Sequence, residues 1–349
     1  MTKVMMRMGD GELIETDEIE IREELEAGSR DASERGKIPS LDEDEIDYLL
    51  ELYLRKDRVV GVEQGKECCL TYDNMTSKIK RAHIPISKIQ QLLMFERGLG
   101  ADTLELAHID YSYKQCKHVV MYEIPNMEQA VLSTIAPILY GAMPNLGLYT
   151  VPDGPCPNPG DLLPKGKISE ARQSYEEMVE YAIKDMVHVG SELYEKGGAD
   201  GINFDTTAAS GDAEFYAALK AVEILRGKYP EMGIEMGMSG EFILGMHGQI
   251  EYDGKRLAGL YPHEQVKLAK KAGVTIFGPA INVVSSESLP WNVARSITFT
   301  KACSEVSEIP VHANLGMGVG GIPLTVHPPL EALSRASKAH VEICKLDGL

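Results

Sequence analysis

From about residue 100 onward, polar side chains recur just after short apolar runs, and several of them are of types that do chemistry. Asp205, Glu235 and Glu241 are carboxylates in this position. A carboxylate stabilises a cationic substrate, and a carboxyl group can hold or release a proton as a general acid. We take Glu235 and Glu241 as the candidate general acids. The candidate pocket residues are Asp205, Thr206, Asn282, His312, Asn314, His108 and Asp110.

Each of these residues also has a structural alternative. Asp212, for example, precedes a predicted helix, and an aspartate there commonly caps the first turn. For any single residue, capping or burial with satisfied hydrogen bonds remains an alternative to a role in a site. The recurrence at successive strand ends favours a polar pocket more than any one residue does.

Two other chemistries have little support. No His-Glu-x-x-His motif and no Cys/His quartet occurs, which argues against a zinc site. Ser239 lies in GMSGE, which lacks the Gly-x-Ser-x-Gly spacing of an esterase nucleophile. We therefore expect no metal.

These side chains must be positioned by strands that alternate with helices. Apolar runs of strand length occupy residues 102–110, 118–124, 136–143, 200–207, 233–241, 274–282 and 309–318. Helix-length segments occupy residues 167–197, 213–230, 261–273, 289–305 and 327–344. Strict alternation predicts an α/β fold with a parallel sheet, and continuous apolar runs are typical of strands buried on both faces.

Two parallel architectures fit this alternation. A doubly wound sheet usually carries a phosphate-binding loop, but the glycines of 316–321 lack the dinucleotide spacing. A barrel needs about eight strand–helix units. The chain offers seven or eight, if the last residues, 346–349, begin a strand. We predict a TIM (β/α)8-type barrel over 101–349, lacking its C-terminal elements, behind an N-terminal helical/β extension over 1–100.

The extension is acidic and contains two predicted helices. Thr16 or Asp17 should cap the first helix, and Gly28 should end it. Ser40 or Asp42 should cap the second. The acidic faces of these helices are solvated surfaces or, alternatively, a docking surface for a basic partner.

Composition limits the partners and the compartment. The net charge of −18 repels nucleic acid and anionic lipid. No run of about 18 apolar residues and no signal-peptide pattern occurs, so we expect a cytoplasmic protein with no membrane partner. The six cysteines are irregularly spaced and are expected to be reduced thiols.

Several blocks of sequence carry a resemblance to a known family. They are GADTLELAHIDYS (100–112), GADGINFDTTAASGD (198–212), GMSGE (237–241), NLGMGVGGIP (314–323) and RASKAHVEI (335–343). Together they resemble the dimethylamine methyltransferases of methanogenic archaea, in the same order from about Met8 to Leu349.

The resemblance implies methyl transfer from dimethylamine to the Co(I) corrinoid of a small cognate protein, leaving monomethylamine, in methanogenesis. The corrinoid is then carried by the partner, and no cofactor is bound directly by this chain. The catalytic residue implied is pyrrolysine, encoded by an in-frame amber codon directly after Leu349. We also expect a homo-oligomer.

On this interpretation the 349 residues are an amber-truncated form that is inactive as it stands. Two alternatives remain open. One is another barrel-class corrinoid methyltransferase, such as a zinc-dependent enzyme that methylates a thiol. The other is a non-catalytic protein that binds a corrinoid protein.

Overall fold

The computed structural model describes residues 3–69, 78–79, 84–85, 104–110, 116–133, 137–208, 211–245 and 248–349. The chain divides into two compact units. The first comprises Met1–Cys68, Tyr261–Lys267 and Phe277–Leu349, and the second comprises Cys69–Leu260 and Leu268–Ile276. The predicted domain boundary at residue 100 lies outside the described residues and stays a prediction.

The described strands are β1 (Val4–Arg7), β2 (Leu13–Thr16), β3 (Lys78–Ile79), β4 (Ile84–Pro85), β5 (Leu104–Asp110), β6 (Ile138–Met143), β7 (Gly201–Phe204), β8 (Gly233–Gly240), β9 (Glu251–Tyr252), β10 (Lys255–Arg256) and β11 (Ile276–Ala280). The described helices are α1 (Glu18–Gly36), α2 (Glu43–Leu54), α3 (Cys116–Ser133), α4 (Pro159–Leu162), α5 (Ile168–Glu195), α6 (Asp212–Lys228), α7 (Pro262–Ala272), α8 (Leu289–Val306) and α9 (Leu330–Cys344). None of these helices combines the length and the apolar character that a membrane crossing requires.

The second unit is built on a parallel sheet of β5, β6, β7 and β8, in that order. Helices α5 and α6 meet on one face of it. A Cβ atom at Gly190 of α5 would lie 3.0 Å from Leu225 Cδ1 of α6 and 3.6 Å from Ile202 Cδ1 of β7. The predicted α/β class with a parallel sheet is thus confirmed, whereas closure into a barrel stays a prediction.

Asp200 joins three strands of this sheet at their amino ends. Its backbone N–H donates to Ile138 O at 2.9 Å, and its Oδ2 accepts from Ile138 N at 2.7 Å. Its carbonyl oxygen accepts from Gly233 N at 3.1 Å. Asp200, the residue directly before β7, therefore connects β7 to both β6 and β8.

The first unit contains a short parallel arrangement of its own. His312 N donates to Phe277 O of β11 at 2.9 Å, and Ala313 N donates to Gly348 O at 3.1 Å. Gly348 also forms a parallel bridge with His312. Residues 347–348 thus lie alongside 311–313, in the direction that a strand after α9 would take.

Both predicted N-terminal helices are present, with caps from the predicted choices. Asp17 accepts from Ile19 N and Glu20 N, and Asp42 accepts from Glu45 N. In each helix the third residue returns a hydrogen bond to the cap, which completes a capping box.

Three predictions about elements were wrong. Residues 309–318 form isolated bridges and no strand, since the chain turns at Gly318, which has a left-handed φ of 78°. Residues 118–124 lie in α3 and not in a strand: Val119 and Val120 are buried while Met121 and Tyr122 are exposed, which is a helical pattern and not an alternating one. Gly28 does not end α1, which continues to Gly36. At Gly28 the helix instead passes close to α8.

Replacing Gly28 with alanine is expected to lower the free energy of unfolding by about 1–3 kcal/mol, because α1 and α8 would have to separate. The new Cβ would lie 2.1 Å from Trp291 O, a backbone atom that cannot rotate away. The matched control is Gly227→Ala in α6, where a Cβ meets nothing within 4 Å. That control should raise stability by up to about 1 kcal/mol, since alanine is the better helix former. Urea denaturation of both variants measures the contrast, and equal effects would contradict it.

His340 makes the stability of the first unit sensitive to acid. Its ring is fully buried, with Nδ1 2.8 Å from Ala336 O and Nε2 2.9 Å from Ser296 Oγ. Nδ1–H donates to the carbonyl, which only accepts, and in the neutral ring Nε2 accepts from the serine hydroxyl. Burial lowers the pKa of His340 from its ordinary 6.5 to about 4.

The unfolded chain therefore binds a proton at His340 that the folded chain does not. Stability from this residue is complete above pH 6.5 and is lost as the pH falls towards 4, by roughly 3 kcal/mol in all. Chemical denaturation across this pH range measures the slope. His340→Leu should flatten it, whereas a change at the exposed His327 should not. The prediction is wrong if the free energy of unfolding of His340→Leu depends on pH as steeply as that of the wild type.

Candidate active site

A row of paired residues crosses the sheet of the second unit near its carboxyl edge. The register pairs His108 with Gly141, Gly141 with Asn203, and Asn203 with Glu235. Asp110, two residues beyond His108, pairs with Met143. Residues paired in this way share one face of a sheet. Since helices cover the face of Ile202, the row lies on the opposite face.

Asp205 and Thr206 follow directly after β7. Asp205 N donates to Ala142 O at 2.8 Å, which holds the end of β7 against β6. The Asp205 side chain is 2% exposed, and its Oδ1 accepts from Thr206 N at 2.7 Å. Thr206 has φ of 54°, a left-handed conformation that a β-branched residue rarely adopts. The carboxylate is therefore held on a tightly turned backbone.

Asn203 connects β7 to the end of β8. Its Oδ1 accepts from Gly237 N at 3.1 Å, just past the last paired residues. A Cβ atom at Gly237 would lie 2.6 Å from that oxygen, so only glycine allows this approach. Met238 follows with φ of 40°, and Glu241 comes directly after the strand. The side-chain amide thus fixes the backbone between the two candidate acids.

The candidate acids of the second unit are buried. Glu235 is 4% exposed and Glu241 is 6% exposed, close to the 2% of Asp205. The strands bring Asp205 and Glu235 to one face of the sheet, and the register pairs His108 with Gly141 and Asp110 with Met143. Whether they act on a substrate stays a prediction.

The other three candidates lie in the first unit. His312 is 6% exposed and lies between β11 and residues 347–348, and Asn314 N donates to Pro279 O at 3.1 Å. Asn282 is exposed, and its carbonyl oxygen accepts from Arg295 Nη1 at 3.3 Å. His312 and Asn314 therefore share one segment, whereas Asn282 follows β11.

Asp212 does not cap α6 as expected. It is the first residue of the helix, and the N-cap is Gly211, which has no side-chain cap. The Asp212 carboxylate is fully buried, and its Oδ2 accepts from Gly248 N at 2.8 Å. It therefore holds the loop after β8 near the start of α6.

Asn203 and Thr207 lie in the same short polar stretch as Asp205 and Thr206. The Asn-x-Asp spacing of 203 and 205 was the available signal, because alternate strand residues share a face. Thr207 is fully buried directly after Thr206. No periodic pattern in the sequence distinguishes Thr207 from its neighbours.

Two surface pockets of the second unit have volumes of 360 and 250 Å³, and no candidate residue lines either. Within the described ranges, no group of three His, Cys, Asp or Glu side chains is arranged to hold a metal ion.

A family model described as dimethylamine methyltransferase matches residues 2–349. Among solved structures, the apo form of a homocysteine methyltransferase from Escherichia coli is similar, with a TM-score of 0.40 and 10% sequence identity. The similarity covers 73% of this chain and 84% of that chain. This degree of similarity does not establish a shared fold.

Proposed function

Because the chain belongs to the dimethylamine methyltransferase family, as the match over residues 2–349 shows, we propose that it moves a methyl group from dimethylamine to the Co(I) corrinoid of a partner protein. It is a methyltransferase by family, and this match is the observation that carries the proposal. The corrinoid acceptor comes from the resemblance of the sequence blocks. A cytoplasmic location and a homo-oligomer remain part of the proposal.

The buried carboxylates fit this substrate. An aliphatic amine is a cation at neutral pH, and a cation leaves water only where negative charge and hydrogen-bond acceptors replace its hydration. Asp205, Glu235 and Glu241 are all 6% exposed or less. Asp205 and Glu241 directly follow the neighbouring strands β7 and β8, and Glu235 lies within β8. Asp205 and the glutamate that does not serve as the acid supply that charge and can hold the amine in one orientation.

In the methyl transfer, one C–N bond breaks and one Co–C bond forms. The C–N bond breaks with its electron pair on nitrogen, and the Co(I) pair forms the new bond to the methyl carbon, so cobalt becomes Co(III). The nitrogen leaves as neutral monomethylamine only if it carries a proton beforehand. Bound dimethylammonium already carries this proton, so we assign Glu235 or Glu241 as the general acid that would protonate the imine nitrogen of the implied pyrrolysine when the amine adds.

The pyrrolysine implied after Leu349 is kept as part of the proposal. Such a residue supplies an electrophilic imine carbon, which ordinary side chains do not provide. Gly348 bridges to His312 and accepts from Ala313 N, so position 348 lies beside a candidate pocket residue.

The proposal is tested with the full gene expressed together with pyrrolysine machinery. The purified product is mixed with dimethylamine and a reduced corrinoid protein. We expect the Co(I) spectrum to change to that of methyl-Co(III), with monomethylamine formed in equal amount. Monomethylamine and trimethylamine serve as comparison substrates. A corrinoid that stays unmethylated with dimethylamine would contradict the proposal.

The catalytic residue is tested separately by intact mass. We expect a species heavier than the 349 residues and containing a modified lysine directly after Leu349. An ordinary amino acid at that position, in an active enzyme, would remove pyrrolysine from the proposal and leave methyl transfer standing.

A further inference from the structure

The side-chain hydroxyl of Thr207 is buried without a hydrogen bond. The residue is 0% exposed, and its Oγ1 has no partner in the described part of the chain. A buried hydroxyl without a partner destabilises the folded state, because it has lost its hydrogen bonds to water. Such groups are rare in folded proteins, and each requires an explanation.

The position of Thr207 suggests what that explanation is. It lies two residues after Asp205, on the turn that begins with the left-handed Thr206. The same turn packs on the end of β8, since a Cβ at Gly240 would lie 3.6 Å from Ala208 Cβ. The unpaired hydroxyl therefore belongs to the turn that carries one buried carboxylate and contacts the residue before another, Glu241.

We propose that Thr207 is a substrate-binding residue whose Oγ1 accepts a hydrogen bond from the N–H of the bound alkylammonium, while Asp205 supplies the negative charge. This assignment rests on the proposed function for the identity of the amine. The unpaired oxygen is then an acceptor that is satisfied only when substrate is present.

The arrangement also selects among methylamines. Dimethylammonium has two N–H groups, and a carboxylate and a hydroxyl offer it two acceptors. Trimethylammonium has one N–H, so it leaves one buried acceptor unpaired and is bound less well. Thr207 therefore contributes to the preference for dimethylammonium over trimethylammonium.

The test is Thr207→Val in the 349-residue chain, with calorimetric titration of dimethylammonium and trimethylammonium chloride. We expect the Kd for dimethylammonium to rise about 10-fold or more, since a hydrogen bond to a charged group is lost. The Kd for trimethylammonium should change less, so the ratio between the two amines falls. The Tm should stay the same or rise, because the substitution removes an unpaired hydroxyl. A purely structural threonine would not combine weaker binding with retained stability.

Two further variants control for side effects. Thr207→Ser keeps the hydroxyl and should restore the Kd to within a few-fold of the wild type. Thr325→Val removes another buried oxygen without a partner among the described residues, in the first unit, and should leave both Kd values unchanged.

The inference is overturned if Thr207→Val binds dimethylammonium as tightly as the wild type, or if the wild type binds none. The methyl-transfer assay separates this from the proposed function. If the wild type methylates the corrinoid and Thr207→Val has an unchanged KM for dimethylamine, only the inference about Thr207 is contradicted. If the wild type binds the amine through Thr207 but methylates no corrinoid, only the proposed function is contradicted.

Discussion

Replacing Glu235 with glutamine is expected to lower kcat/KM for methyl transfer from dimethylamine by about 10²–10⁴-fold, the usual contribution of a general acid. Glutamine has nearly the same shape but cannot release a proton. Glu235 is 4% exposed and is paired in register with Asn203, so the substitution fits the same space. The loss of transition-state stabilisation should therefore be larger than any loss in the free energy of unfolding.

Glu241→Gln is the parallel variant, because either carboxyl could hold the proton. The variant with the larger loss in kcat identifies the acid, and the other should act mainly on KM through the lost charge. Glu231→Gln, at an exposed position, should leave both parameters unchanged. If neither buried variant lowers kcat while both remain folded, neither carboxyl is the general acid.

Replacing Lys338 with methionine is expected to cost about 3–5 kcal/mol in the free energy of unfolding, because it leaves a buried carboxylate without its cation. Lys338 Nζ donates to Glu342 Oε1 at 2.6 Å, and the two side chains are 7% and 6% exposed. Tyr48 OH donates to Glu342 Oε2 at 2.6 Å, and Glu63 N donates to Glu342 Oε1 at 3.1 Å. The carboxylate thus joins α9 to α2 and to the chain beyond it.

The electrostatics of this cluster depend on all its donors. Burial alone raises the pKa of Glu342, but the hydrogen bonds from Lys338 and Tyr48 outweigh it and hold that pKa below its usual value. Burial, and then the hydrogen bond to Glu342, raises the pKa of Tyr48. Removing the lysine therefore removes the cationic partner of a carboxylate that remains buried.

Urea denaturation measures the loss, and two variants interpret it. Lys167→Met breaks an exposed pair with Glu170, whose side chains are 47% and 57% exposed, and should cost less than about 1 kcal/mol. Lys338→Met combined with Glu342→Leu removes both charges and should recover part of the loss. A single variant as stable as the wild type would show that the pair contributes nothing.

Local sequence patterns were enough to predict most of the elements. The apolar run of 233–241 became β8, and the segment 167–197 became α5 with ends displaced by two residues or fewer. The capping boxes at Asp17 and Asp42 mark their own helix starts, because the hydrogen bonds involve residues three apart. These features depend on neighbours in the chain.

Two of the wrong predictions depend on distant residues. Gly28 is a helix-ending residue by type, but here it allows α8, more than 250 residues later, to come within contact of α1. The β-branched and aromatic residues of 118–124 favour a strand locally. Packing of Met127 against the Gly197 end of α5 supports the helix instead, and no local pattern contains that contact.

The sequence was enough to predict which segments carry the candidate site residues, but not how those residues are arranged in space. Residue types at the ends of β7 and β8 indicated a polar edge. The pairing of Asn203 with Glu235 depends on register, and the hydrogen bond to Gly237 depends on a backbone brought from another strand. A hydroxyl that lacks a partner, as at Thr207, is a property of the folded packing and leaves no trace in residue order.

The hydrogen bonds of Asp200 bear on how this sheet can evolve. They fix β6, β7 and β8 to one another at the ends remote from Asp205 and Glu241. Strand alignment is therefore secured without help from the opposite edge, where Thr206 and Met238 are strained and Thr207 is unpaired. Under the proposed function, substitutions at that edge change which amine is accepted while the strands keep their register, so substrate specificity can evolve without a change in the sheet.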